Sequence, residues 1–424
     1  MALPVESYDK LFINGEYVAA KSTKTLELRN PTNNFLVTNK VPVAGEKDVD
    51  IAVSHAEEAF NGPWSQFSAS ERSACLRRLA DLLETRTESI LKLDSLSVGH
   101  PVSLTPKREN GYIKACLLYY VKPSEKSPLG SLAIAALFEE AGFPKGVVQV
   151  LSGDGSTGTL LASHMRVRKV SFTGSIGTER KIQEMAARSN LKRVTLELGG
   201  KSPAIVFDDA NIDNALTWTI NGILTRSGQV FVAASRVYVQ DTIADGFIKA
   251  YVEKMKAATS EMGDPLDPSV SMGPLADFLA FEKVKAMIAR GREEAELVVG
   301  GAQVGDDGFF MQPTVFLNPR PDAQVLTEEV FGPVAVVQTF KTEEEVIKLA
   351  NDTEYGLMAG VFTKDINRAL RVSSRVESGV VGINCISVMN LQVPFGGKKG
   401  SGIGREFGEY ALRCFTEPKT VLIK

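Results

Sequence analysis

Cysteine and histidine are scarce in this chain. Four cysteines (Cys75, Cys116, Cys385 and Cys414) and three histidines (His55, His100 and His164) are scattered over 424 residues, with no Cys-x-x-Cys pair and no two histidines close together. Zinc ligands usually come in close pairs and small secreted domains space their cysteines as a framework, so neither a metal site nor a disulfide scaffold is expected. A reduced, cytoplasmic setting is the expectation. No apolar run approaches the roughly 18 to 20 residues that a membrane-spanning helix needs, and Met1-Ala-Leu-Pro-Val-Glu6 is not a basic region followed by an apolar one. Neither charge dominates: 48 Lys and Arg against 51 Asp and Glu leave a net charge of −3, which offers no general field for a phosphate backbone. Membrane and nucleic acid are therefore not expected partners. Repeats and low-complexity segments are absent too, and the last four residues, Val421-Leu-Ile-Lys424, carry no peroxisomal or retention address.

What is present is length, apolar content and alternation. With 44% hydrophobic residues, 424 positions suffice for two or three domains with their own cores. Asn14-Gly15 between Leu11-Phe-Ile and Glu-Tyr-Val18 predicts a hairpin. Helices are predicted over 47–60 and, behind a Ser70 cap, over 70–94. From Ser131 helices and strands alternate: helix 132–141, strand 147–151, helix 158–164, strand 170–173, helix 178–187, strand 193–198 and strand 204–207. Beyond Gly200 follow helix 212–224, strand 236–239, helices 243–257 and 278–290, strands 296–299 and 334–340, helices 343–351 and 366–375, and strand 380–384. Such alternation implies crossover connections and mostly parallel sheets covered on both faces, an α/β fold. Gly199-Gly200, between two predicted strands, reads either as a domain boundary or as a tight turn inside one domain.

Two strand-to-helix turns, Ser152-Gly-Asp-Gly-Ser-Thr-Gly158 and Gly174-Ser-Ile-Gly177, could place free N–H groups and a helix dipole under a phosphate. Neither has the full spacing of a dinucleotide fingerprint, and an ordinary turn is the alternative for each.

The segment Val194-Thr-Leu-Glu197-Leu198-Gly-Gly-Lys201 is followed, thirty-four positions after its carboxylate, by Phe231 in Gly228-Gln-Val-Phe231-Val-Ala-Ala-Ser-Arg236. The pair resembles the signatures of the aldehyde dehydrogenase superfamily, as do Lys122-Pro-Ser-Glu125, Phe172-Thr173-Gly174-Ser175, Glu328-Glu329-Val-Phe331-Gly-Pro333 and the run Pro394 to Glu406. The resemblance covers nearly the whole chain. It implies a Rossmann-type cofactor domain over 1–199, shortened internally, an α/β catalytic domain over 200–405 and an oligomerisation arm over 406–424. It also implies NAD-dependent oxidation of an aldehyde to an acid. Glu197 then stands as general base, Lys122 and Glu125 at the adenosine ribose, Phe172, Thr173, Gly174 and Ser175 at the pyrophosphate, and Glu329, Phe331 and Leu198 around the nicotinamide and its ribose. A carboxylate at Glu125 would repel a 2′-phosphate, favouring NAD over NADP. Trp218 and 388–391 fall where an apolar substrate channel is expected. The partners implied are a small aldehyde and further copies of this chain or of homologues.

In two places the chain departs from this pattern. Phe231 occupies the position of the family's nucleophilic cysteine, and a phenyl ring has no lone pair and no ionisable proton with which to attack a carbonyl. Cys385 is the one substitute thiol the resemblance places near the channel, and it would need a depressed pKa to serve. Between Tyr120 and Val121 several dozen family residues are missing, among them the Asn that donates to the oxyanion; losing one such donor costs on the order of 100-fold in rate. Leu117-Leu-Tyr-Tyr-Val121 is apolar enough to stand in for a lost strand. Aldehyde oxidation is therefore expected to be absent or much impaired. Three accounts remain: a non-catalytic NAD-binding or regulatory partner of an active homologue, a shortened record of an active enzyme, or an enzyme using another nucleophile.

Overall fold

The structure is a computed structural model and describes residues 8–104 and 122–424. Cys116, the junction between Tyr120 and Val121, and the strand expected over 117–121 lie outside the described residues.

The predicted hairpin forms from β1 (Leu11–Ile13) and β2 (Glu16–Val18), with Asn14 and Gly15 both at positive φ, as a tight primed turn requires. A second antiparallel pair, β3 (Thr25–Arg29) and β4 (Leu36–Pro42), follows. The helices Glu46–Asn61 and Ala69–Val98 come next. The cap of the longer helix is Ser68 rather than Ser70. Its hydroxyl accepts from the Glu71 N–H while the Glu71 carboxylate accepts from the Ser68 N–H, a reciprocal box that Ser70 could not make.

The strand predicted over 147–151 is reduced to a single bridge, in which Val150 exchanges two backbone bonds with Phe12 at 3.0 and 2.9 Å. Val150 and Leu151 are buried and Val147 and Val148 partly so, but a strand needs a continuous partner, and among the described residues no strand runs beside it. A three-stranded sheet does form nearby from β5 (Lys169–Thr173), β6 (Arg193–Glu197) and, added from far along the chain, β14 (Gly402–Ile403). β5 and β6 are parallel, joined through the helix Ile176–Arg188, and β14 runs antiparallel to β6.

At Gly199-Gly200 the chain leaves this sheet for a seven-stranded one. Its strands are β7 (Pro203–Val206), β8 (Arg236–Gln240), β9 (Glu296–Val299), β10 (Thr314–Leu317), β11 (Val334–Phe340), β12 (Met358–Phe362) and β13 (Val380–Ile383), in the order β13-β12-β7-β8-β11-β10-β9. All neighbours are parallel except β9 against β10. Strands β10 and β12 were not anticipated, because a short apolar run carrying Gly360, or flanked by proline as at Pro313, has no period that distinguishes it from a loop. The alternation of side chains across the sheet builds its two faces. Ala204, Val206, Val237 and Val239 pack under the helices Ile212–Leu224 and Ala244–Ala257; Ile205, Phe207 and Tyr238 pack under Glu343–Asn351 and Ile366–Arg375. Among the described residues no helix is long and apolar enough to cross a membrane.

Residues 406–424 hold an isolated bridge from Glu406 to Phe395, the short helix Gly408–Arg413 and then an irregular tail, with Val421, Leu422 and Ile423 69%, 86% and 92% exposed. No strand forms there.

Candidate functional site

Four of the sequence motifs meet at Leu198-Gly199-Gly200, where the chain changes sheets. The Gly200 N–H donates to Glu329 Oε1 at 2.9 Å. Ser401 accepts the Leu198 N–H on its backbone oxygen at 3.0 Å and donates from its hydroxyl to the Gly199 oxygen at 2.7 Å. From the fourth motif the backbone oxygen of Phe231 presses on Gly200 so closely that a Cβ there would stand 2.2 Å from it. Only glycine fits this contact.

Glu197 ends β6 immediately before this junction. It is 3% exposed, and among the described residues neither carboxylate oxygen has a hydrogen-bond partner. Burial, then the nearby Glu406, pushes its carboxyl up to about 8, with Arg405 opposing. Oε1 lies against Gly396 in the Pro394-Phe-Gly-Gly turn. The carboxyl thus stays protonated near neutral pH and becomes a base only above it. It neither caps a helix nor pairs with Lys201, whose amine also has no hydrogen-bond partner among the described residues.

Phe231 sits in a loop whose entry is strained: Arg226, Ser227 and Gly228 all have positive φ. A Cβ on Gly228 would stand 2.0 Å from the Gly332 oxygen, so the loop abuts the Gly332-Pro333 turn. Gln229 Oε1 accepts from the Ala276 N–H at 2.8 Å and fixes the far side. The Phe231 ring is half-buried and meets Phe395 edge to face, 5.8 Å between centroids, with Phe395 in turn against Phe407 at 5.7 Å. Phe231, Phe395 and Phe407 thus form an aromatic cluster that joins three loops.

Glu329 is turned onto the Gly200 backbone, and burial raises its carboxyl against the pull of that bond, Lys283 and Lys201. Phe331 is 40% exposed, at φ 60°. A small recess of about 10 Å³, room for a single water, opens between them, lined by Gly200, Gly228, Val230, Glu329, Phe331 and Gly332 among others.

The structure distinguishes the two strand-to-helix turns. Asp154 caps the helix Gly155–Ser163 with its own carboxylate, accepting from the Ser156 N–H at 2.8 Å, so an anion is already in place. Ser175 starts the helix Ile176–Arg188 without a side-chain cap, leaving first-turn N–H groups for another acceptor. Gly174 joins this turn to the junction, its N–H donating to the Glu197 oxygen at 3.1 Å. The Phe172 ring lies across Gly174, and Thr173 is exposed. Lys122 stands elsewhere, donating to the Pro123 and Gly153 oxygens at 2.8 Å each and lying 3.8 Å from Glu125. Burial lowers its amine. Lys126 then ties this segment to Asp277 at 2.6 Å, next to the residue that holds Gln229.

Glu197, Leu198, Gly174, Phe231 and Glu329 are thus brought together, while Lys122 and Glu125 occupy a separate corner. Of the expected channel residues, Trp218 and Met389 pack on the core of the larger sheet and Val388 is exposed. Cys385 is half-buried and burial raises its thiol, the opposite of activation. Sequence reasoning missed the bracing by Ser401 and the isolation of Lys201; both lie inside recognised motifs, but their partners are remote in the chain.

The sequence model of the aldehyde dehydrogenase family matches residues 17–121 and 115–421. The two matches meet at 115–121, where the chain is expected to be shortened. An aldehyde dehydrogenase of Emericella nidulans is 39% identical over 481 positions, covering 99% of this chain and 96% of that protein. The rat protein "Aldehyde dehydrogenase, cytosolic 1" is 40% identical over 479 positions, covering 98% and 95%. Both alignments are longer than the 424-residue chain, so these relatives carry residues it lacks. Among solved structures, the P. syringae indole-3-acetaldehyde dehydrogenase AldA, a cysteine-to-alanine mutant in complex with NAD+ and IAA, has 34% identity and a TM-score of 0.93, covering 98% of this chain and 96% of that one. The Pseudomonas aeruginosa aldehyde dehydrogenase KauB has 32% identity and a TM-score of 0.92, covering 96% and 95%.

Proposed function

We propose that this chain, which belongs to the aldehyde dehydrogenase family, binds NAD but does not carry out the oxidation of an aldehyde to an acid. The observation that carries this reading is the ring of Phe231, packed edge to face on Phe395 at the position where the family places its nucleophile. Without a thiol the first bond to the carbonyl carbon cannot form at that position, and Cys385, its thiol raised by burial, does not replace it. Glu197 keeps a base's position but has no acyl group to deliver water to.

The residues present fit the dinucleotide. The uncapped start of Ile176–Arg188 offers N–H groups to a pyrophosphate. The half-exposed carboxylate of Glu125 can accept from ribose hydroxyls and disfavours a 2′-phosphate, so NAD is preferred to NADP. Glu329 and Phe331 stand where the resemblance puts the second ribose and the nicotinamide, and the Phe331 ring is 40% exposed. Bound NAD would supply a hydride acceptor; the chain's own residues hold and orient it. The likeness to an NAD+ complex supports this binding, and the likeness to a cytosolic rat protein supports a cytoplasmic setting.

Domains at 1–199, 200–405 and 406–424 remain our division, with the third acting as an arm toward another copy or an active homologue. Its exposed Val421, Leu422 and Ile423 favour such a partner.

The test is NADH production from a panel of aliphatic and aromatic aldehydes, on the purified chain and on Phe231→Cys, with thermal unfolding in NAD alongside. The chain as it stands should be silent and its unfolding midpoint should rise with NAD. Turnover by the unaltered chain would overturn the catalytic half of the reading, and an unmoved midpoint the binding half.

A further inference from the structure

We infer that the outer edge of β5 is an interaction surface for a second copy of this chain, the two β5 strands pairing antiparallel about Ser171 so that two three-stranded sheets become one. The inference goes beyond cofactor binding and does not depend on it.

β5 ends its sheet, in the order β14-β6-β5, and runs parallel to β6. A parallel strand is ordinarily covered on all sides, as is β7, whose residues are all buried. In β5, by contrast, Ser171 and Thr173 are exposed and Lys169, Val170 and Phe172 only half-buried. Successive N–H groups along a strand point to opposite edges. The Gly174 N–H donates to the Glu197 oxygen of β6 at 3.1 Å, so the main-chain groups of Phe172 and Val170 also face β6, and those of Thr173, Ser171 and Lys169 face outward. Among the described residues no main-chain group pairs with that outward row. Such a row is a template for another strand. The nearby side chains leave it clear: the Ser171 hydroxyl donates to Glu406 Oε1 at 2.7 Å, and the Lys169 amine is drawn inward to the Thr195 hydroxyl of β6.

The sequence of the strand is complementary to itself. A two-fold axis at Ser171 sets Ser171 opposite Ser171 of the second copy, Lys169 opposite Thr173, and Val170 opposite Phe172. The outward residues then form the hydrogen-bonded pairs, each exchanging both N–H···O bonds, and the whole row is satisfied. Val170 and Phe172 form the closer non-hydrogen-bonded pairs, a favourable match of β-branched against aromatic. No like charges meet, because the one charged residue, Lys169, faces a threonine. A slip of one residue would set outward groups against inward ones, and a slip of two would leave Lys169 or Thr173 without a strand partner. The contact is isologous, so it closes at two copies and does not run on.

Introduced cysteines read the register directly. Opposed residues of a hydrogen-bonded pair have Cα atoms about 5.5 Å apart, within disulfide reach. Over the background of the unaltered chain, Ser171→Cys should therefore give a covalent dimer under mild oxidation, while Thr173→Cys, also exposed but opposite Lys169, should not. Any other pattern overturns the inference. The Ser171→Cys dimer should persist when Leu422→Asp is added in the exposed tail; its loss would make the tail the occupant of the edge and overturn the pairing of the two β5 strands. Sedimentation of the full-length chain gives the second reading. The unaltered chain should have twice the mass of Ser171→Pro, which removes an outward N–H and leaves the bonds to β6 in place. Equal masses overturn the inference. Where Ser171→Pro does not fold, Ser171→Lys, which sets like charges at the axis, is compared in its place with the same twofold difference expected.

Discussion

The backbone oxygen of Phe231 bears on Gly200, where a side chain of even one carbon would stand 2.2 Å from it. The nucleophile-position loop and the junction between the two sheets are thus held in contact by main chain, independently of which side chain position 231 carries. The local frame of the proposed site thus does not depend on the side chain at position 231.

Gly200→Ala should therefore displace the Phe231 loop or the Glu329 carboxylate. We expect a loss of about 1–3 kcal/mol, as for other overpacked interiors, read as a lower urea midpoint at unchanged slope. An unchanged midpoint would mean that the contact is not made.

Phe231→Ala should remove both the edge-to-face pair with Phe395 and the burial of the ring. The pair contributes about 1 kcal/mol and the half-buried ring about as much again, so a loss near 2 kcal/mol is expected. Phe231→Leu should recover the burial part but not the pairing. If Phe231→Ala is as stable as the wild type, position 231 is not a packing position.

The Glu197 carboxyl gives a pH dependence of definite sign. It titrates at about 8 in the folded chain against 4.5 ordinarily, so between those values the folded state binds a proton that the unfolded state has released. Stability from this group therefore falls as pH rises through that window. Glu197→Gln removes the slope, so its unfolding midpoint should gain on that of the wild type from pH 5 to pH 8. A constant difference across the window would show that Glu197 is not held protonated.

Cofactor choice should depend on Glu125. Glu125→Gln removes the charge that disfavours a 2′-phosphate, and the preference for NAD over NADP, read from the two dissociation constants, should narrow by roughly fivefold, as expected for one half-exposed charge. An unchanged ratio would place the adenosine ribose elsewhere.

Much of this was legible beforehand. Asn14-Gly15 announces its hairpin, and helix 212–224 and strand 334–340 fall where apolar spacing put them, because turn chemistry and side-chain period are local properties. Strand 147–151 was misread for a non-local reason: its apolar residues suit a strand, but its pairing is limited to Phe12. Ser68 and Ser70 are both plausible caps by residue type, and the reciprocal bond with Glu71 chose between them.

By itself the sequence determined the family, the order of its motifs and the phenyl ring at position 231, since whether a side chain can attack a carbonyl is a property of its atoms. Tertiary structure alone decided that Glu197 lies buried with no hydrogen-bond partner among the described residues, that Asp154 closes one helix start while Ser175 leaves the other open, and that Glu329 rests on Gly200. Charge state and hydrogen bonding depend on burial and on neighbours more than a hundred residues away, and those are fixed only when the sheets assemble.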